Sequence, residues 1–153
     1  MRMDYVAANP EALQTLVDVE THLARAARRR DELGGGLLEL VKIRVSQING
    51  CAYCIDRHTQ DARRAGESEQ RLYALSAWRE TPFFSPRERA ALAWAEAHTL
   101  IAGRGIDDAL FEATRAHFPE PALVDLTLAI CAFNAWNRLA IGFAMTPGSY
   151  RPD

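Results

Sequence analysis

Apolar residues recur along most of this chain at intervals of three and four positions, the spacing that puts them on one face of an α-helix. In residues 10–30 this repeat includes Leu13, Val17 and Leu23. The alternation of apolar and polar residues that is typical of half-buried strands is scarce, and the Val and Ile residues lie inside the helical repeats. The pattern therefore predicts an all-α fold of about six to seven helices.

Start and stop signals divide the repeats into separate helices. Asn9-Pro10 places an N-cap before a proline at the first helical position, and Ser85-Pro86-Arg87-Glu88 adds an acidic residue at the third position. Glycines in the segments 34–36 and 49–50 and at Gly66 mark helix ends. The predicted helices span residues 10–30, 37–49, 51–64, 68–78, 86–101, 107–117 and 121–144.

Length, charge and the N-terminus narrow the class of protein. A chain of 153 residues suits one domain with a substantial core, so we expect a single domain over residues 1–153. The net charge of -2 gives no electrostatic reason to expect a nucleic-acid partner. The first residues lack the apolar run of a signal peptide, and the apolar segment 122–145 contains Asp125 and Arg138, which are costly in lipid. We therefore expect a cytoplasmic protein without a membrane partner.

The strongest chemical signal is a pair of cysteines, Cys51 and Cys54, followed by His58. Each helical residue advances by about 100°, so these three side chains fall within an arc of about 60° on one face. A helix start stabilises a thiolate through its unpaired N–H groups, and His58 lies one turn beyond Cys54, where it can accept or supply a proton. Cytosolic thiols are reduced at rest. The spacing predicts a redox-active Cys-x-x-Cys pair at a helix N-terminus.

Glu39 is a further candidate, but its place depends on the fold. In one continuous helix it would lie about 18 Å from Cys51 along the axis. It joins the cysteines only if the chain turns back at Asn49-Gly50, so that the two helices pack side by side. A partly buried carboxylate brought there is a candidate for acid–base catalysis.

Other uses of these residues have to be weighed. A zinc site would take Cys51, Cys54 and His58, with Glu39 as a fourth ligand, although no second Cys/His pair follows. Attachment of haem needs a histidine directly after the second cysteine, where Ile55 stands. A thioredoxin-like domain would place the motif after a strand, and no such pattern is present.

The remaining cysteine and histidines lack comparable neighbours in the sequence. Cys131 lies in an apolar helix, so we expect an inert core thiol. His22, His98 and His117 are expected to be surface or packing residues. Lys42 is the only lysine of the chain, and the composition alone assigns it no function.

Together these residues resemble the core motif of the alkyl hydroperoxidase D (AhpD)-like proteins of the carboxymuconolactone decarboxylase family. The motif consists of Glu39, Ser46, Asn49, Cys51-Ala52-Tyr53-Cys54 and His58. The decarboxylase branch lacks the thiol pair, so the resemblance disfavours lactone decarboxylation. The likeness continues in residues 85–93 and 134–139 and covers about residues 35–145 in all.

The resemblance implies an all-helical fold that assembles into trimers or hexamers and acts as a thiol-dependent peroxidase. Carried to this chain, Cys54 attacks the peroxide and becomes a sulfenic acid, and Cys51 donates a proton and then closes the disulfide. Glu39 and His58 form the proton relay. Tyr53 stands where the best-characterised peroxidase branch carries a histidine. No bound cofactor is expected, and an external dithiol or lipoyl-type reductant restores the thiols.

The sequence therefore predicts a homo-oligomeric, peroxidase-like oxidoreductase acting on hydrogen peroxide or organic hydroperoxides. The first alternative is a thiol–disulfide oxidoreductase that passes electrons to another disulfide. The second is a redox-sensing or zinc-binding oligomeric module without enzymatic activity.

Overall fold

The computed structural model of the chain describes residues 1–34 and 36–151. Within these ranges it contains helices and no strand, which confirms the predicted all-α fold. Gly35, in the predicted break between two helices, and the last two residues of the predicted domain lie outside the described ranges. The helices are α1 (Tyr5–Ala8), α2 (Pro10–Arg29), α3 (Leu37–Asn49), α4 (Ala52–Arg64), α5 (Glu69–Ala74), α6 (Pro86–Thr99), α7 (Ile101–Arg104), α8 (Asp108–Arg115) and α9 (Glu120–Gly142).

The boundaries follow the capping signals closely. The Asn9 side chain accepts a hydrogen bond from the Ala12 N–H, and Ser85 and Glu88 form a reciprocal capping box at the start of α6. The helix predicted over 68–78 is instead α5 followed by a 3₁₀ helix, Leu75–Glu80, because the backbone of Ala77 leaves helical angles. The short helices α1 and α7, of four residues each, account for the elements beyond the predicted seven.

Helix α3 is the centre of the molecule and packs against α4, α6 and α9. Its Leu40, Val41, Ile43 and Val45 have no exposed surface, so apolar side chains on several sides of this helix are covered by neighbours. The larger part of the core lies between α2, α3, α6 and α9, and a second part lies around the 3₁₀ helix. This arrangement holds the C-terminal end of α3, where the cysteine motif begins, in the interior.

Helix α9 is more exposed than its composition suggested. The exposed fraction of Val124 is 66% and that of Ile141 is 46%, because the neighbouring helices cover only part of its circumference. Cys131 lies two turns after Val124 and is exposed too, so the prediction of a core thiol is wrong. Its neighbours Ile130 and Ala132 occupy the buried side instead. In the described ranges, no helix is both long enough and apolar enough to cross a membrane.

A buried ion-pair network fixes α6 to α3 away from the cysteines. Glu96 accepts hydrogen bonds from Arg44 Nε at 2.8 Å and from Trp78 Nε1 at 2.9 Å, and it also pairs with Arg79. Burial alone would raise the pKa of Glu96, but the hydrogen bonds from these partners outweigh burial and lower it. The network therefore supplies partners for a carboxylate that would be costly to bury alone.

Candidate active site

The cysteine motif begins where the chain reverses between α3 and α4. Gly50 has φ 71° and ψ 30°, a left-handed conformation in which a residue with a side chain is strained. The Cys51 N–H then donates to the Ser46 carbonyl oxygen at 3.0 Å, and Cys51 becomes the N-cap of α4. The reversal lays α4 against α3, which is the arrangement that Glu39 needs to approach the motif.

Three asparagines fix this turn to α9. The Asn49 side-chain amide donates to the side-chain oxygens of Asn134 and Asn137, each at 3.0 Å. Asn137 in turn donates to Ser46 Oγ at 3.1 Å, and both Asn137 and Ser46 are fully buried. Because buried amides need partners, this network determines how the end of α3 sits on α9.

Cys51 and Cys54 are joined by a disulfide, with 5.3 Å between their Cα atoms. Both are buried, with exposed fractions of 1% for Cys51 and 5% for Cys54. The Cys54 N–H donates to Cys51 Sγ at 3.3 Å, so the Cys51 side chain caps the start of α4. Cys54 lines a cavity of about 390 Å³ that a small molecule can enter.

Glu39 and His58 meet across the α3–α4 contact. The distance between Glu39 Oε2 and His58 Nδ1 is 2.8 Å, and the exposed fraction of His58 is 8%. The His58 ring also rests edge-on against Phe133 of α9, with 4.7 Å between ring centroids. With Glu39 ionised, Nδ1 carries the proton and donates it, so Nε2 is the ring nitrogen that can accept a proton.

Two further charged side chains continue this pair, and the sequence pattern alone pointed to neither. Lys42 Nζ lies 3.1 Å from Glu39 Oε1 and 3.0 Å from Glu20 Oε2, and 4.9 Å from the Phe133 ring centre. Lys42 follows Glu39 by three positions, so helix geometry alone could have paired them. Glu20 comes from α2, and only the packing of α2 brings it to this place.

The charges around Glu39 keep it ionised. Burial alone would raise the pKa of Glu39, but the hydrogen bond with His58 and the charge of Lys42 outweigh burial and hold it at about 2. Burial likewise opposes the charge on Lys42, but Glu39 and Glu20 raise its pKa above the ordinary lysine value. Both side chains are therefore charged at neutral pH.

The two ends of the chain form part of the cavity wall. Tyr5 stacks on Phe143 with 5.1 Å between ring centroids, and Met145 lies on the same wall. The Tyr150 hydroxyl donates to Asp61 at 2.6 Å, which ties the C-terminal segment to α4. The remaining lining residues are Val6, Val17, Glu20, Glu39, Lys42, Tyr53, Cys54, Arg57, His58, Phe133, Trp136 and Ala140. The sequence pattern gave no sign that the chain ends would close the site.

Among the described residues, the group that could hold a metal ion differs from the zinc ligands weighed as an alternative from the sequence. Ligand atoms of Glu39, His58 and Asp61 lie within 4.8 Å of one another. However, the Lys42 ammonium group already pairs with Oε1 of Glu39, and His58 contacts Oε2 of the same carboxylate. The sulfurs of Cys51 and Cys54 are bonded to each other in this structure, so they are not free to act as ligands.

Comparison with known proteins identifies the family. The model of the carboxymuconolactone decarboxylase family matches residues 10–97, more than half of the chain. The chain is 45% identical over 140 residues to the uncharacterised protein YdfG of Bacillus subtilis (strain 168), and the match covers 92% of each chain. It is 36% identical over 103 residues to the uncharacterised protein YnjA of Escherichia coli (strain K12), covering 67% of this chain and 56% of YnjA. The chain belongs to the carboxymuconolactone decarboxylase family.

Solved structures place it among the AhpD-like members. A protein of unknown function from Agrobacterium tumefaciens, whose name suggests an antioxidant defence protein AhpD, superposes with a TM-score of 0.90 at 40% identity. That match covers 97% of this chain and 99% of the other. An uncharacterised peroxidase-related protein from Silicibacter sp. TM1040 has a TM-score of 0.78 at 27% identity, covering 92% of this chain and 72% of the other. The AhpD-like resemblance is thereby confirmed.

Proposed function

We propose that this protein is a thiol-dependent peroxidase that reduces hydrogen peroxide or small organic hydroperoxides. The observation that carries the proposal is the position of Cys54. It lines a cavity of about 390 Å³, one helical turn from His58, whose ring is held by an ionised carboxylate. The names of the structural relatives point to the same class of activity, since one is called peroxidase-related and another suggests antioxidant defence.

The first half of the reaction is peroxide reduction at Cys54. His58 accepts the Cys54 proton through Nε2, and the thiolate attacks one oxygen of the hydroperoxide. The O–O bond breaks, Cys54 is oxidised to a sulfenic acid, and the second oxygen leaves as an alcohol or water with the proton from His58. Glu39 stabilises the positive charge that His58 carries between the two transfers.

The second half closes the disulfide and restores the thiols. The Cys51 sulfur attacks the Cys54 sulfur, the S–O bond breaks, and the hydroxide leaves as water with the proton that Cys51 donates. An external dithiol then returns two electrons and two protons by thiol–disulfide exchange. A lipoyl-type dithiol fits this role because it is small enough for a cavity of about 390 Å³ in which Cys54 is almost fully buried.

The assembly and location follow as parts of the same proposal. The exposed apolar residues Val124 and Ile141 of α9 support burial against a second copy, in a trimer or hexamer. The cycle needs a supply of reduced dithiol, which the reducing cytoplasm provides.

Peroxide consumption with dihydrolipoamide as the reductant tests the proposal. We expect turnover by the wild type and by Cys131→Ala, a matched control that removes an exposed thiol, and none by Cys54→Ser. Absence of peroxide turnover together with rapid reduction of a model disulfide would overturn the proposal in favour of the thiol–disulfide oxidoreductase. Stoichiometric zinc in the purified protein, together with absence of turnover, would favour the zinc-binding module.

A further inference from the structure

Four charged or titratable side chains from three helices form one continuous series. Glu20 of α2 contacts Lys42 of α3 at 3.0 Å, Lys42 contacts Glu39 at 3.1 Å, and Glu39 contacts His58 of α4 at 2.8 Å. The proposed reaction uses only Glu39 and His58. We propose that Lys42, held in place by Glu20, is a positioning residue that keeps Glu39 ionised and aimed at His58. The inference rests on the proposed function, because it concerns the proton relay of that site.

The contacts of Lys42 leave its ammonium group little freedom. Its side chain is 13% exposed, and the group lies between two carboxylates and the face of the Phe133 ring. A cation over an aromatic face is attracted by the ring, and this attraction is stronger away from water. Glu20 therefore fixes Lys42 from the side opposite Glu39.

Lys42 also determines the orientation of the Glu39 carboxylate. Oε1 of Glu39 accepts from Lys42, which leaves Oε2 for His58 Nδ1. Burial raises the pKa of Glu39, and without Lys42 only the contact with His58 would oppose burial, so the protonated form becomes easier to reach. A protonated Glu39 donates to Nδ1 instead of accepting from it, so the proton of a neutral His58 moves to Nε2. His58 then presents no acceptor to the Cys54 thiol.

An unpaired oxygen of Glu20 indicates that the contact between Glu20 and Lys42 has a function. Its Oε1 is buried and, among the described residues, has no hydrogen-bond partner. An unpaired buried polar oxygen costs stability. Stability alone therefore does not explain why the carboxylate of Glu20 is buried with an unpaired oxygen. A need to hold Lys42 in place does explain it.

The other charged groups around Glu39 can also affect how the reactivity of the site depends on pH. From α4, Asp61 lies beside His58, and it pairs with Arg57 at 3.8 Å. From α9, the residue that faces the series is the uncharged Phe133. From α2 the facing group is Glu20, whose charge Lys42 already balances. Lys42 therefore places a permanent positive charge in direct contact with Glu39.

The pH profile of Cys54 alkylation tests the inference. In a Cys51→Ser, Cys131→Ala background Cys54 is the only thiol, so its reaction with iodoacetamide reports its own activation. We expect Lys42→Met to move the profile to higher pH by about one unit, so that alkylation is about tenfold slower at a pH on its rising part. Lys42→Arg keeps the charge and should restore the profile to within about threefold of the parent. Glu20→Gln should give a smaller shift in the direction of Lys42→Met.

Stability and function are separated by two further measurements. Lys42→Met leaves the carboxylates of Glu20 and Glu39 without their shared cation, which can destabilise the protein. The double variant Glu20→Gln, Lys42→Met has one fewer unpaired charge and is therefore measured beside it. Thermal unfolding verifies that each variant is folded. A folded double variant with the parent profile would overturn the inference. Alkylation uses no peroxide, so a shifted profile, together with the absence of peroxidase turnover in the wild-type protein, would support the inference and contradict the proposed function.

Discussion

Replacing Glu39 by glutamine should remove a defined, pH-dependent part of the stability. The pKa of Glu39 is lowered from 4.5 to about 2, although burial would raise it, because His58 and Lys42 outweigh burial. Each tenfold difference in acidity between the folded and unfolded chains is worth about 1.4 kcal/mol, so ionised Glu39 contributes about 3 kcal/mol at neutral pH. Because the folded pKa is the lower one, this contribution is complete above the unfolded pKa and is lost as the pH falls towards 2.

Urea unfolding at pH 7 and pH 3 measures this contribution. The difference in free energy of unfolding between wild type and Glu39→Gln should shrink by about 2 kcal/mol from pH 7 to pH 3, since the unfolded carboxyl is then protonated and the folded one is not. Other carboxylates titrate in both proteins and cancel in the comparison. Glu112→Gln, which removes an exposed carboxylate paired only with Arg115 at 3.0 Å, is the matched control and should show little change. An equal difference at both pH values for Glu39→Gln would refute the reasoning.

Further substitutions test the fold. Glu96→Ala should lower the free energy of unfolding by about 3 kcal/mol, because it leaves Arg44 without its buried carboxylate; denaturant unfolding measures the loss. Gly50→Ala should cost about 1 kcal/mol, since φ is 71° there, whereas Gly103→Ala meets no atom within 4 Å and should be close to neutral in thermal unfolding. Cys131→Ala should change the unfolding temperature little because the side chain is exposed in the single chain, and a loss of several degrees would contradict an exposed Cys131 in the assembled protein.

Local sequence patterns predict much of the site because its residues lie on two helices whose starts and ends the sequence marks. The bounds of α3, Leu37–Asn49, follow from its glycine stops and apolar repeat, and the helix spacing alone puts Cys51, Cys54 and His58 on one face. The return of Glu39 to these residues depends on the left-handed Gly50, which the Asn-Gly pair permits but does not require. The family motif was needed to choose that turn.

Contacts between segments that are distant in the sequence cannot be predicted from such local patterns. Glu20 reaches Lys42 only through the packing of α2 on the core, and nothing in the local sequence of either residue encodes it. Cys131 was misplaced because α9 is apolar nearly all round, so periodicity does not distinguish its covered side from its open side. Tyr5 reaches the cavity through its contact with Phe143, at the far end of the chain.

Trapping of a sulfenic acid tests the central claim most directly. Cys51→Ser removes the resolving sulfur, so one equivalent of peroxide should leave a sulfenic acid on Cys54 that dimedone labels and peptide mass spectrometry locates. We predict rapid, stoichiometric labelling of Cys54 in this variant, and little labelling of Cys51 in Cys54→Ser. Labelling of Cys51 in Cys54→Ser, with an unlabelled Cys54 in Cys51→Ser, would contradict the account.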